Sequence, residues 1–130
     1  MTFSPRERLE AGLAAEERAC RYLEAEGFSI VERNHRSRTG EIDIVARKEG
    51  LLLFAEVRFR GDVAFGSPED TVNLKKRLRV VTAARHYLAD AALSVSWDEA
   101  RFDVIVIEGT GEDATLRHYP AAFDAKGKVL

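Results

Sequence analysis

Two carboxylates set within apolar stretches are the residues of this chain best suited to chemistry. Asp43 lies in Gly40-Glu41-Ile42-Asp43-Ile44-Val45 and Glu56 in Leu53-Phe54-Ala55-Glu56-Val57-Arg58. Each stretch reads as a β-strand, and Lys48-Glu49-Gly50 between them reads as a tight turn. Alternation puts Glu41, Asp43 and Val45 on one face of the first strand and Ile42, Ile44 and Ala46 on the other. In the second strand Leu52, Phe54, Glu56 and Arg58 share a face. A two-residue turn at Glu49-Gly50 sets Lys48 against Leu51, so Asp43 falls opposite Glu56 and Glu41 opposite Arg58. Cross-strand Cβ atoms lie about 4.5–5.5 Å apart. Carboxylates that close repel each other unless a proton or a cation lies between them. A divalent metal is one such cation, since Mg²⁺ is held by one or two carboxylates with water and phosphate oxygens. The competing reading is a structural ladder of acids paired with Arg58.

The elements that must position these acids follow from the flanking sequence. Ser4-Pro5-Arg6-Glu7 predicts a capping box with proline at the first helical position. That helix runs to about Glu26, with Gly27 just beyond its end. Leu9, Leu13, Cys20 and Leu23 form its apolar stripe, and Glu16 falls within that stripe. Glu16 is either an edge residue paired with a strand arginine or a member of the site, because burying an unpaired charge is costly. Phe28 to Asn34 reads as a strand, followed by the basic loop His35-Arg36-Ser37-Arg38-Thr39-Gly40, a solvated run or a phosphate-steering one. After Arg60, the loop through Gly66 leads to Ser67-Pro68-Glu69-Asp70, which predicts the cap of a second helix reaching about Asp90. Leu74, Leu78, Val80, Val81, Ala84, Tyr87 and Leu88 form its apolar arc. Lys75, Lys76, Arg79 and His86 gather opposite, with Lys76 at the boundary; that face is either solvated or an anchor for phosphates. Ala91 to Ala100 reads as a linker with Trp97 as a core lid. Arg101 to Ile107 predicts a central strand, and Thr115 to Tyr119 a short last one. Residues 1–120 make one domain, and 121–130 a flexible tail.

The totals bound the function classes. At 130 residues the chain is long enough for one real core, and 45% hydrophobic with 32% charged residues is an ordinary globular composition. A formal net charge of −2 argues against a generally cationic nucleic-acid coat and leaves room for a local basic patch. The single cysteine, Cys20, forms no internal disulfide, and with three scattered histidines it makes no zinc pattern. Neither a glycine-rich phosphate loop nor a nucleophile elbow occurs. Without a secretory segment or an apolar run of membrane-spanning length, the expected location is the cytoplasm.

The segments Gly12-x-x-x-Glu16-x-x-Ala19-x-x-Tyr22-Leu23, Gly40-Glu41-Ile42-Asp43, Phe54-Ala55-Glu56-Val57-Arg58-x-Arg60 and Arg101-Phe102-Asp103-Val104 closely resemble the YraN-like family of small bacterial proteins. Val72 through Lys76 to Arg79 matches that family's second-helix pattern, and the resemblance runs from about residue 10 to residue 120. The family is endonuclease-like, similar to the archaeal Holliday-junction resolvases of the PD-(D/E)xK superfamily. The resemblance implies an α/β, restriction-endonuclease-like fold: a mixed central sheet flanked by helices in the order α-β-β-β-α-β. It further implies that Asp43 and Glu56 hold a metal, Mg²⁺ or Mn²⁺, with Glu16 assisting from the first helix. Arg58 stands at the position of the superfamily's lysine, and no proline precedes Asp43. Arginine stays protonated, so it can supply charge and hydrogen bonds but cannot act as a general base.

The function expected on these grounds is a metal-dependent DNA endonuclease acting on branched or structured DNA. Arg58 would stabilise the scissile phosphate, and Glu41 would stand behind the metal ligands or pair with Arg58. Lys75, Lys76, Arg79, Arg36, Arg38 and Arg60 would contact nucleic acid, and a homodimer is expected because cutting a junction needs two coordinated incisions. The rivals are a nucleic-acid-binding protein that keeps the fold without hydrolysis, and a protein-interaction module whose acids are architecture.

Overall fold

A computed structural model describes residues 4–38, 40–60, 73–90, 96–109 and 111–130. The expected capping box opens helix α1 (Pro5–Ala25): the Glu7 amide donates to Ser4 Oγ, and the Ser4 amide donates back to Glu7 Oε1. Its end is a Schellman turn, with the Phe28 amide on the Leu23 carbonyl and Gly27 at φ 97°. Strands β1 (Ser29–Ser37), β2 (Gly40–Lys48) and β3 (Leu51–Arg60) then form an antiparallel meander. Helix α2 (Leu74–Ala89) carries the chain to β4 (Glu99–Glu108), which pairs parallel with β3. After a short 3₁₀ turn, β5 (Thr115–Phe123) pairs antiparallel with β4. The mixed five-stranded sheet has the order β1-β2-β3-β4-β5, so the elements run α-β-β-β-α-β-β.

The two helices cover opposite faces of the sheet. Val45, Leu52, Phe54, Val104 and Val106 pack with Val80, Val81, Ala84 and Tyr87 of α2. Ile44, Ala46, Leu53, Ala55, Ile105 and Ile107 pack with Ala15, Ala19, Cys20 and Leu23 of α1. No helix among the described residues is long and apolar enough to cross a membrane.

Several expectations need correction. Leu9 and Leu13 are 65% and 51% exposed, while Ala15 and Ala19 are buried. Cys20 and Leu23 are buried as expected, but the buried face of α1 is shifted by about a sixth of a turn from the predicted stripe, because alanines let the helix lie close on the sheet. Helix α2 starts after Asn73, whose Oδ1 accepts from the Lys76 amide; the expected cap at Ser67 to Asp70 lies outside the described residues. Leu74 and Leu78 sit at the rim of α2, 51% and 42% exposed. His35, Arg36 and Ser37 are not a loop but the end of β1, paired with Ile42, Glu41 and Gly40. Trp97, expected as a core lid, is 43% exposed. The segment read as a tail starts inside β5, and beyond it the Arg77 and Arg85 side chains donate to the Gly127 and Ala125 carbonyls.

Candidate active site

The expected hairpin register is present over Lys48↔Leu51, Arg47↔Leu52, Ala46↔Leu53, Val45↔Phe54 and Ile44↔Ala55. Pairing stops one step short of Asp43 and Glu56. There Asp43 Oδ2 accepts from the Val57 amide at 2.8 Å, so a side chain takes the place of a ladder carbonyl. The cause lies in β1. Arg33 pairs with Ile44 and His35 with Ile42, which leaves Asn34 opposite Asp43, and Asn34 has φ 52°. Asparagine tolerates this left-handed conformation better than most residues. The alternation of faces slips at this point. Ile42, expected beside Ile44 and Ala46, instead packs in the α2 layer, and the His35 ring meets Tyr87 of α2 edge-on.

The slip lets residues of both layers meet. The Asp43 and Glu56 carboxyls are close enough that each acts on the other's ionisation. Glu16 comes from α1, close enough to Asp43 for their charges to interact. Lys76 comes from the first turn of α2, its Nζ 3.3 Å from Glu56 Oε1 and 3.4 Å from Glu41 Oε1. Arg58 Nη1 lies 3.8 Å from Glu56 Oε1. Glu41 is held by Lys76 and by Arg36 at 3.6 Å.

Burial governs the electrostatics. Glu56 is 1% exposed; burial first, then the neighbouring Asp43 charge, push its pKa up to about 8 against the pull of Lys76. Burial also raises Asp43, and burial together with the Asp43 charge raises Glu16. Lys76 pays for burial too, but Glu56, Asp43 and Glu41 outweigh it and hold its pKa above the ordinary lysine value. At this site Glu56 Oε2 and Glu16 Oε1 are buried without a hydrogen-bond partner among the described residues. Orphaned acceptors beside acids whose crowding and burial oppose ionisation are what a divalent cation would satisfy, and in this respect the donor set fits Mg²⁺ or Mn²⁺. Among the described residues, no three His, Cys, Asp or Glu side chains are drawn together as a complete ligand set. The cation that stands among the acids is Lys76.

The remaining site residues separate by exposure. Arg36, Arg38, Lys75 and Arg79 are exposed. Arg60 is buried, at 8% exposure, and its Nε has no hydrogen-bond partner among the described residues. Lys76, expected to touch nucleic acid, stands beside Glu56 and Glu41 in the acidic cluster. Asn34 was not anticipated; a polar residue known for left-handed backbone, opposite the key aspartate, was the available signal. Two further residues of the sequence motifs, Tyr22 and Asp103, meet elsewhere. Asp103, fully buried, accepts from Arg101 Nε and Nη2 at 2.8 Å each, from the Ala121 amide at 3.0 Å and from His118 Nε2 at 2.6 Å. The Tyr22 hydroxyl lies 2.8 Å from His118 Nδ1.

Comparison with known proteins gives the family. Residues 15–107 match the profile described as Uncharacterised protein family UPF0102. A UPF0102 protein of Myxococcus xanthus is 46% identical over 122 residues, covering 94% of this chain and 95% of the relative. One from Syntrophotalea carbinolica is 39% identical, covering 93% and 97%, and one from Lachnoclostridium phytofermentans is 41% identical, covering 89% and 94%. On this similarity, which spans nearly the whole length of each chain, the protein belongs to the UPF0102, YraN-like family.

Proposed function

We propose that this protein is a Mg²⁺- or Mn²⁺-dependent DNA endonuclease, hydrolysing phosphodiester bonds in branched or otherwise structured DNA in the cytoplasm. The observation that carries the reading is Glu56, fully buried with an orphaned oxygen, next to Asp43 across the hairpin and with the Lys76 ammonium 3.3 Å away. Asp43, Glu56 and Glu16 would hold the metal, which supplies Lewis-acid activation of the phosphoryl oxygen and lowers the pKa of a bound water. Because Oδ2 of Asp43 is committed to the Val57 amide, the carboxylate is oriented before anything binds. Lys76 supplies from α2 the lysine that position 58 lacks. With its pKa held high, it acts as a positive charge and hydrogen-bond donor at the scissile phosphate rather than as a base. Arg58 adds a second fixed positive charge. Arg36, Arg38, Lys75 and Arg79 are the exposed cations for backbone phosphates, which contribute affinity without sequence information. Two incisions across a junction call for a second copy of the chain.

A second reading is favoured by Lys76. An ammonium already seated among the acids can serve as their permanent counter-ion in a DNA-binding protein that does not hydrolyse. Calorimetry with Mn²⁺ separates the two, comparing wild type with Asp43→Asn and Glu56→Gln. Under the endonuclease reading, wild type binds and both folded variants lose binding. Wild type then cuts branched DNA in Mn²⁺, and the variants bind the DNA uncut. Wild type that takes up no metal even with DNA present refutes the endonuclease and leaves the second reading.

A further inference from the structure

Helix α1 lies on the sheet through Ala15, Ala19, Cys20 and Leu23, and its outward side carries a different order. Glu7, Glu10, Ala11, Ala14, Arg18 and Arg21 recur at spacings of three and four residues, so they form one stripe along the helix. Two shallow hollows border the stripe and meet at Ala14 and Arg18. The first runs past Glu7, Glu10 and Phe59, the second past Arg21 and Leu116. The stripe is acidic at one end, small and apolar in the middle, and basic at the other. Glu7, Glu10, Ala14 and Arg21 are exposed, and Ala11 and Arg18 half-buried. Contacts within the chain leave this order in place. Glu7 takes part in the helix cap, and Arg18 donates to the Ala114 carbonyl. Arg6–Glu10 at 3.1 Å and Arg21–Glu17 at 3.5 Å are solvent-exposed pairs, a kind that contributes little and yields readily to a better partner.

Reversed end for end, the stripe is its own complement. Glu7 and Glu10 stand seven and four residues before Ala14, and Arg21 and Arg18 stand seven and four residues after it. Laid antiparallel about a two-fold axis at Ala14, a second α1 brings its Arg18 and Arg21 to Glu7 and Glu10 of the first, and symmetry repeats every contact. The two Ala14 side chains then meet at the axis, where small residues let helices approach to about 8 Å, the near end of the usual range. With 21 residues α1 is about 30 Å long, so all four charges of each copy fall within the contact. Other occupants fit this face less well. The phosphates of a nucleic acid would meet Glu7 and Glu10. A purely apolar helix would cover four charges without pairing them, and a parallel copy would set like charges against each other.

We propose that this face is a homodimer interface: α1 pairs antiparallel with α1 of a second copy about Ala14, with Glu7 and Glu10 of each copy facing Arg18 and Arg21 of the other. The interface gives a definite place to the second copy that two incisions require, and it stands whether or not Asp43 and Glu56 hold a metal. Sedimentation equilibrium of the full chain tests it with two charge reversals, Glu10→Arg and Arg21→Glu. Each variant alone opposes like charges at two symmetric places, so its dimer dissociation constant should rise about 10–100-fold over wild type. Mixed in equal amounts, the two variants should regain an affinity close to wild type, because one then carries only cations at these positions and the other only anions. The double variant should regain it as well. Both residues lie on the exposed side of α1, so melting temperatures should move little; a variant that folds badly is recognised because mixing cannot repair it. Wild type that stays monomeric at its solubility limit overturns the proposal. A dimer unaffected by either reversal does too, since the copies would then meet through another surface. Weakening in both single variants without recovery in the mixture also overturns it, because the charges would then not act across the pair.

Discussion

Glu56→Gln gives the sharpest test of the electrostatics. The substitution keeps the side chain's shape and removes its ability to ionise. Folding holds this carboxyl's pKa at about 8 instead of its ordinary 4.5. The folded protein therefore binds a proton that the unfolded chain releases, and stability falls as pH rises through that interval. At about 1.36 kcal/mol per pH unit, the loss from pH 4.5 to above 8 is about 5 kcal/mol, a large share of the roughly 5–15 kcal/mol typical of a domain. Glutamine carries no such penalty. Urea unfolding at 25 °C from pH 5 to pH 9, with a chelator present, should show wild type losing several kcal/mol while the variant's curve stays much flatter. The two should be close at pH 5, and the variant clearly the more stable at pH 9. Adding Mn²⁺ should restore wild type at high pH, by about 2.7 kcal/mol at 100 times its Kd, and leave the variant unchanged. A flat wild-type profile, or a variant less stable than wild type at pH 9, would refute the reasoning. Glu56 would then be ionised throughout, with Lys76 as a full counter-ion.

Other expectations are equally open to measurement. Gly40→Ala would set a Cβ 2.0 Å from the Arg79 carbonyl oxygen, so β2 and α2 must separate; a loss of about 1–3 kcal/mol or more in urea unfolding is expected, and an unchanged midpoint would contradict the close approach. At Asn34, with φ 52°, Ala should be less stable than Gly by about 1 kcal/mol, because only the first suffers left-handed strain; equal midpoints would count against it. Asp103→Asn leaves Arg101 and His118 without their anion and should cost about 3–5 kcal/mol at neutral pH. Because the Asp103 pKa is lowered on folding, its stabilisation is present above the ordinary aspartate value of 3.8 and fades as pH falls through the folded value, so the difference between variant and wild type should shrink in acid. Lys75→Ala and Arg79→Ala should each reduce the salt slope of DNA binding by about one; unchanged slopes would exclude these side chains from the phosphate contacts.

The hairpin register was legible because a two-residue turn leaves one pairing consistent with apolar alternation, and Lys48↔Leu51 confirms it. The capping box and Gly27 were legible for the same local reason. The rotation of α1 was not. Leu9 and Leu13 have the spacing of a core stripe, and only the closeness of helix to sheet, set by Ala15 and Ala19, decides that they face outward. Asp43, Glu56 and Glu16 could be gathered from pattern and resemblance. Lys76 could not be moved from a basic helical face into the acidic cluster, because that depends on where α2 starts, which Asn73 determines. The twist at Asn34 lies below the resolution of periodicity, since one left-handed residue changes faces without changing composition.

The parallel pairing of β3 with β4 also bears on how the chain acquires its charges as it folds. Asn34, Asp43 and Glu56 belong to a meander of consecutive antiparallel strands, assembled from neighbours in sequence. Joining Leu51 to Glu99 instead closes a loop that includes all of α2, and loop closure makes such non-local contacts late ones. On that order of events the acids come together before Lys76 arrives among them. Meander formation should therefore be the step most helped by protons or divalent ions. Refolding in stopped flow should accelerate as pH is lowered from 8 towards 6, an effect that Glu56→Gln should largely abolish.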